Sequence, residues 1–272
     1  MMNKKKYNIR LILLCILLTP TSYLSAEELE YRNRISFGGF LISKYDSEIG
    51  LTDVDSGVGA TIDPSQALGV DNEQSVLRLD GHYRFSKNHS LLYSWYSIQS
   101  EGNRTINEEI PWEPNPIPVG AKVDSSLNYD LYKVGYLWSF HNGEQVELGV
   151  GAGLHITQIR VELSAETTGT PLQTESVNTT VPLPVVMFKL GYKITPDLKL
   201  SYLSQVFAIE YEGIAGTYSD QAIGLEYRFW KNIALGLGVN STNLAIKQET
   251  DGRRLSYNNR ITGAMVFISG YF

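Results

Sequence analysis

The sequence of 272 residues contains a single cysteine, Cys15. One thiol cannot form an intrachain disulfide, and it cannot build a cysteine-ligated metal site. Cys15 also lies in an N-terminal segment that we expect to be removed. We therefore expect a mature chain without structural thiols and without a cofactor.

The sequence also has little helical periodicity, and no apolar run is long enough for a membrane-spanning helix. Basic residues are scarce, with 23 Lys and Arg against 29 Asp and Glu. Losing Lys4, Lys5, Lys6 and Arg10 with the N-terminal segment takes the formal net charge from −6 to −10. This acidity argues against a nucleic-acid partner.

The N-terminal segment has the features of a secretory signal peptide. Three lysines precede an apolar run over residues 9–18, and small residues follow, ending in Ser25 and Ala26. This order is typical of a signal peptide that is cleaved during export. We expect a signal peptide over residues 1–26 and one domain over residues 27–272.

The rest of the chain alternates between apolar and polar residues with the period of a β-strand. In residues 74–85, for example, Arg78 and Asp80 occupy one parity, and Leu77 and Leu79 occupy the other. The pattern predicts ten strands, at 32–45, 74–85, 89–100, 125–140, 144–161, 183–194, 197–211, 216–229, 232–247 and 255–272.

The predicted connections alternate between tight turns and longer loops. The turns carry Asn, Gly, Pro or Asp, whereas the long loops cover residues 46–73, 101–124 and 162–182. This asymmetry is typical of transmembrane β-barrels. A soluble β-sandwich or barrel would show the same alternation, because a period of two does not say which face meets water.

Aromatic residues favour the membrane interpretation, because many of the strands that enter the short turns end in them. The aromatic strand ends are Tyr83, Phe85, Trp138, Phe140, Tyr192, Tyr227, Phe229 and Phe272. A membrane-spanning sheet must also close on itself, and the alternation that continues to the end of the chain fits that need.

Several phrases of the sequence resemble those of bacterial outer-membrane β-barrel proteins, especially the small single-chain barrels of the OmpA-transmembrane and OmpW type. They are Leu79–Phe85, Leu225–Phe229, Leu235–Gly238 and the alternating last strand that ends in Phe272. The resemblance implies an all-β, transmembrane, antiparallel up-and-down barrel of about ten strands, with eight as the alternative. It also implies location in the outer membrane of a Gram-negative bacterium, and recognition of Phe272 by the outer-membrane assembly machinery.

If the apolar parity faces lipid, the polar parity faces the barrel interior, since a basic residue on the lipid face would cost about 2–4 kcal/mol. The expected lumen charges are Arg78, Asp80, His82, Arg84, Lys133, Glu147, Lys189, Asp220, Glu226 and Arg228. Mixed charges at this density favour a plugged lumen, and the alternative is a narrow channel for small polar or ionic solutes. Gly151 and Gly236, on the inward parity, would either leave space in the lumen or permit bending.

Enzyme activity is not expected, because the motifs of known outer-membrane enzymes do not match. The closest stretch to the His-x-Ser pair of lipid A deacylases is His155-Ile156-Thr157, which lacks the serine. None of the four histidines lies in a predicted long loop, where omptin-type proteases place their catalytic residues.

The long loops are the candidate surface for interaction. Asp53, Asp55, Asp63 and Asp71 make the first loop acidic, and Trp112 lies in a proline-rich stretch of the second. The acidic loop could share divalent cations with the neighbouring outer-membrane lipid and lipopolysaccharide, and Trp112 could anchor an external protein partner. We therefore expect a structural or surface-interaction barrel, porin-like in architecture.

Overall fold

The computed structural model describes residues 31–53, 59–62, 74–105, 118–167, 170–211, 214–250 and 253–272. The expected signal peptide and four of the residues predicted at the outer surface, Asp55, Asp63, Asp71 and Trp112, lie outside the described residues. The strands are β1 (Asn33–Asp53), β2 (Gly59–Ile62), β3 (Gln74–Ser86), β4 (His89–Thr105), β5 (Lys122–Asn142), β6 (Val146–Thr167), β7 (Thr170–Lys193), β8 (Leu198–Tyr211), β9 (Ile214–Trp230), β10 (Ile233–Thr250) and β11 (Arg253–Tyr271).

Ten of these strands form a closed antiparallel barrel, and the short β2 adds to the edge of β1. Each long strand pairs with its neighbours in chain order, and β11 closes the barrel against β1 from Arg34↔Tyr271 to Asp53↔Arg253. The predicted all-β up-and-down barrel is confirmed, with ten strands rather than eight. We call the end with the β3–β4, β5–β6, β7–β8 and β9–β10 connections the turn end, and the opposite end the loop end.

The strands alternate between an outward and an inward face. Near the turn end, large apolar side chains point outward and stay exposed, and together they form what we call the apolar belt. Its members are Ile35, Phe37, Leu41, Leu77, Leu91, Trp95, Tyr132, Val134, Tyr136, Val150, Val186, Phe188, Ile223, Leu225, Leu235, Leu237, Val239, Val266 and Ile268. The aromatic strand ends named above are exposed beside the turns as well.

The strands are longer than predicted, and the expected loop at 162–182 is wrong. β6 and β7 continue through this region and pair from Thr167↔Thr170 down to Val146↔Tyr192. Strand also replaces predicted loop at residues 46–53, 101–105 and 122–124. The outward positions become polar at this height while the backbone pairing continues, so hydrophobic alternation alone underestimates strand length.

The ladder between β7 and β8 is short, and two prolines explain its end. It covers Val186–Lys193 of β7, and β8 residues above Val206 pair only with β9. The amide of Lys193 donates to the carbonyl of Gln145, which lies beside β6. Successive amides of a strand point to opposite sides, so the even-numbered amides of β7 point toward β8. Pro182 and Pro184 have no amide hydrogen to donate on that side.

The interior near the loop end is apolar. We call this cluster the loop-end core, and it contains Phe40, Ile42, Tyr45, Val76, Tyr96, Ile98, Tyr129, Leu131, Ile261 and Met265. Its side chains come from the contiguous strands β11, β1, β3, β4 and β5, and the rings of Phe40 and Tyr96 meet edge to face with centroids 5.8 Å apart. A second apolar cluster, around Leu137, Met187 and Tyr218, fills the neighbouring part of the interior.

Candidate functional site in the barrel lumen

The ten charged residues predicted for the lumen lie on inward-facing positions of the strands. Nine of them take part in ion pairs, and His82 does not within the described residues. Arg228 lies apart from the others at the turn end, where it donates to the carbonyl of Pro196 at 3.1 Å and faces Asp197 at 3.6 Å. The remaining residues form three groups, each of which joins strands that are not neighbours in the wall.

The first group, which we call the central network, joins β3, β5, β9 and β10. The ammonium of Lys133 donates to the carboxylate of Asp220, and both side chains are almost completely buried. Asn240 donates to the same carboxylate at 2.7 Å and accepts from Arg78 at 2.9 Å. Arg78 also makes a two-pronged contact with Asp80, at 2.9 and 3.0 Å. A chain of charge-assisted hydrogen bonds therefore spans the lumen.

Hydroxyl groups complete the solvation of Asp220. Tyr218 donates to it at 3.1 Å and Thr242 at 3.3 Å, while the Tyr218 hydroxyl also lies 3.0 Å from Nδ1 of His155. The guanidinium of Arg78 lies 5.6 Å from the ring centre of Tyr96, directly against the loop-end core. These contacts replace the water that a buried carboxylate and guanidinium would otherwise need.

The second group surrounds Glu147 near the turn end. Its carboxylate accepts from Arg84 at 2.6 Å, from Ser139 at 2.8 Å and from Lys189 at 3.2 Å. The ammonium of Lys199 is 3.8 Å away. One carboxylate therefore faces three cations, and we call these four charged residues the Glu147 cluster.

The third group includes a basic residue absent from the predicted lumen charges. Arg34 of β1 donates from Nε to Glu226 of β9 at 3.0 Å, and Ser269 donates to the same carboxylate at 2.7 Å. The sequence already indicates that Arg34 faces the interior, because Arg34 and Ser36 alternate with the apolar residues Ile35 and Phe37. The parity rule that identified the other lumen charges also assigns Arg34 to the interior.

Inward-facing glycines do not leave the lumen open. A Cβ at Gly236 would lie 2.1 Å from the ring of Phe267, and one at Gly151 would lie 2.9 Å from the side chain of Met187. Gly238 is covered in the same way by Met265. The glycines allow large neighbouring side chains to lie flat against the wall, and the space is filled.

One cavity of about 190 Å³ remains between the central network and the Glu147 cluster. We call it the chamber. Its charged and imidazole side chains are Arg34, Arg78, Asp80, His82, Lys133, Lys189, Lys199 and Glu226. The described residues contain no group of three or more His, Cys, Asp and Glu that could hold a metal ion.

The outer surface changes character toward the loop end. On β5 the outward side chains run from Phe140 to Tyr132 as apolar residues and continue as Asp130 and Asn128. A groove near the loop end of β1, β9, β10 and β11 is lined by Asp46, Glu48, Asn243, Asn258 and Arg260, among others. Asp53, predicted for the first loop, instead ends β1 in register with Arg253.

The end of the chain completes the barrel through its backbone. The carbonyl of Phe272 accepts from the amides of Arg32 and Asn33 at 2.9 Å, and the amide of Phe272 donates to Asn33. Its ring points outward on the same parity as Ile268, while Phe267 and Met265 point inward. The described part of the chain contains no helix long and apolar enough to span a membrane.

Comparison with known proteins gives structural likeness without sequence similarity. No protein-family model matches the chain, and no curated protein sequence matches it significantly. Among solved structures, the outer-membrane protease OmpT from Escherichia coli superposes with a TM-score of 0.55 at 10% identity, covering 88% of this chain and 97% of OmpT.

Two other barrels align over similar lengths with lower scores. The toluene transporter TodX of Pseudomonas putida gives a TM-score of 0.35 at 8% identity, over 89% of this chain and 90% of TodX. The attachment invasion locus protein Ail of Yersinia pestis gives 0.32 at 12% identity, over 89% of this chain and 99% of Ail. The closed ten-stranded architecture and the superposition on OmpT show that the chain has the fold of the bacterial outer-membrane β-barrel proteins.

Proposed function

We propose that the protein is an integral outer-membrane barrel with a closed lumen, which acts as a structural or surface-interaction scaffold rather than as a pore. The apolar belt supports the membrane location. On β5 the belt and the aromatic strand end together cover residues 132–140, about the nine to eleven residues that a tilted spanning strand needs. The aromatic side chains beside the turns would lie at the interface on the periplasmic side.

The observation that carries the closed lumen is the pairing of charges across the interior between strands that are not neighbours. Lys133 on β5 meets Asp220 on β9, and Arg84 on β3 meets Glu147 on β6. The loop-end core and the second apolar cluster together fill the interior beyond the central network. A hydrated ion moving along the axis would have to separate these pairs and part the apolar core.

Single-channel recording in planar bilayers tests the closed lumen. The wild-type barrel should give no steady conductance, because ion pairs and apolar side chains occupy the described interior. The double substitution of Phe40 and Tyr96 by Ala removes two large buried rings from the loop-end core and should produce openings. A steady wild-type conductance that changes in Arg78→Ala or Glu226→Ala would instead establish the alternative, a narrow channel.

The loop end is the proposed interaction surface. Its outward strand positions are polar and carry both charge signs, including Asp46, Glu48 and Arg260. Such a surface suits the lipopolysaccharide headgroup layer, in which phosphates and divalent cations alternate. The segments that connect the strands at this end are the proposed contact for an external protein.

Loop replacement tests this surface. Residues 46–53 are paired with β11, so a loop deletion should spare them and replace 63–73 and 106–117 by short Gly-Ser linkers. Barrel assembly should survive, whereas envelope integrity or binding to surfaces should decrease. Trp112→Ala alone should lower binding of a protein partner, and neutralising Asp53, Asp55, Asp63 and Asp71 should lower Ca²⁺-dependent protection from protease. Unchanged phenotypes in every variant would contradict an interaction role.

A non-enzymatic role is part of the proposal. His82 and His155 lie inside the lumen, and His89 and His141 lie at the turn end. No histidine is therefore available as a general base at the loop end, where an external substrate would arrive. Purified barrel should not cleave peptides or lipid A above the rate of a detergent blank.

A further inference from the structure

The chamber has more positive than negative charge on its walls. Its basic side chains are Arg34, Arg78, Lys133, Lys189 and Lys199, and its carboxylates are Asp80 and Glu226. A buried charge without a counter-ion costs several kcal/mol. The carboxylates that pair with each cation therefore decide whether the charge of the chamber is compensated.

Three of the five cations have a carboxylate of their own. Arg34 pairs with Glu226, Arg78 with Asp80, and Lys133 with Asp220. Lys189 and Lys199 have no such partner in the described residues. They share Glu147 with Arg84, so three positive charges surround one negative charge.

Two groups that line the chamber, the ammonium of Lys199 and the imidazole of His82, also have unused hydrogen-bonding capacity. Lys199 approaches Glu147 only to 3.8 Å, which is beyond hydrogen-bond distance. Nε2 of His82 is buried and has no hydrogen-bond partner in the part of the chain that the structure describes. His82 lines the chamber together with both lysines, so the unpaired polar atoms and the excess charge coincide.

We propose that the chamber is a binding site for a small inorganic oxyanion of the size of phosphate, held by Lys189, Lys199 and His82. An oxyanion supplies the missing negative charge and several acceptor oxygens at once. The chamber has room for it, because 190 Å³ corresponds to about six water molecules at about 30 Å³ each.

The anion enters from the turn end. Lys199 is the second residue of β8, and its side chain is 37% exposed, whereas Lys189 is 11% exposed. The loop-end core closes the opposite direction. In the proposed membrane orientation, the site therefore samples the periplasm and is isolated from the cell exterior.

Calorimetric titration of folded barrel in phosphate-free detergent with inorganic phosphate tests the site. Wild type should bind one phosphate per barrel, and sulfate should compete. Lys199→Gln and Lys189→Gln should each weaken binding about tenfold or more, because each removes a charge-assisted hydrogen bond. Lys231→Gln is the matched control, since this exposed lysine of the β9–β10 turn loses the same charge outside the chamber.

A second variant should change the phosphate affinity in the opposite direction. Glu147→Gln removes the anion that competes for the same cations, so this variant should bind phosphate more tightly than wild type. Heat-modifiable gel mobility would confirm that each variant is folded. No binding by folded wild type, or equal affinity in wild type and Lys199→Gln, would overturn the proposal. Looser binding by folded Glu147→Gln would also count against it.

Discussion

The turn half and the loop half of the barrel have opposite polarity. In the turn half, exposed apolar side chains face outward and ion pairs fill much of the interior. In the loop half, polar side chains face outward and the interior is a hydrophobic core. The single strand β5 shows the reversal: Tyr132 to Phe140 are apolar and outward, whereas Tyr129 and Leu131 are apolar and buried.

This reversal occurs along single continuous strands, so it does not follow from the fold. In the proposed membrane orientation it follows from the surrounding medium. The β5–β6 ladder continues across the boundary between the two halves. In the turn half the outer face is apolar and the inner face can hold charges that pair with one another. In the loop half the arrangement is that of a soluble protein, in which apolar side chains leave water.

The largest effect should come from breaking the charge pairing in the turn half. Asp220→Ala leaves the ammonium of Lys133 buried without a counter-charge and should lower the free energy of unfolding by about 3–5 kcal/mol. Urea titration of barrel in lipid vesicles would measure it. Asp46→Ala breaks the exposed pair with Lys44 and should cost no more than about 1 kcal/mol. Equal losses would show that the two environments do not differ.

A comparable but smaller loss is expected from the core of the loop half. Leu131→Ala removes a side chain that is 0% exposed and should cost about 2–4 kcal/mol through lost burial and the cavity left behind. Asn128→Ala, on the outward face of the same strand, should stay within about 0.5 kcal/mol. If the two variants unfold at the same urea concentration, the loop half has no cooperative core.

An arginine on the outer face distinguishes the two halves directly. Leu237→Arg places a charge in the apolar belt and should cost about 2–3 kcal/mol in vesicles. Asn258→Arg, at an exposed position in the loop half, should have little effect. The difference should disappear if the belt is in contact with water, so equal stabilities would contradict membrane insertion at this height.

The smallest effect should come from the surface ion pairs of the loop half. Lys122 and Glu166 are 3.9 Å apart and about half exposed. Lys122→Gln should therefore change the free energy of unfolding by less than about 0.5 kcal/mol, and added salt should reduce even that. A loss above about 1.5 kcal/mol would mean that this surface is not solvated as the polar loop half requires.

The reversal also explains what could be predicted from the sequence. Ten strands, their tight turns and the inward parity of Arg78 and Asp220 follow from alternation, because the turn half has one apolar face and one charged face. Alternation does not predict the continuation of β6 and β7 through 162–182, because the apolar residues move there from the outward face to the inward face. The partners of each charge were also unpredictable, because contacts such as Lys133 with Asp220 depend on strand register and barrel curvature.

The prolines of β7 have a consequence for contacts with other molecules. A strand that leaves its neighbour exposes a free edge, and free edges invite strands from other molecules to add on. Above Val186 the edge of β7 faces β8 without pairing to it, and Pro182 and Pro184 remove amide donors from that edge. The unpaired edge of β7 is therefore a poor template for strands of other molecules.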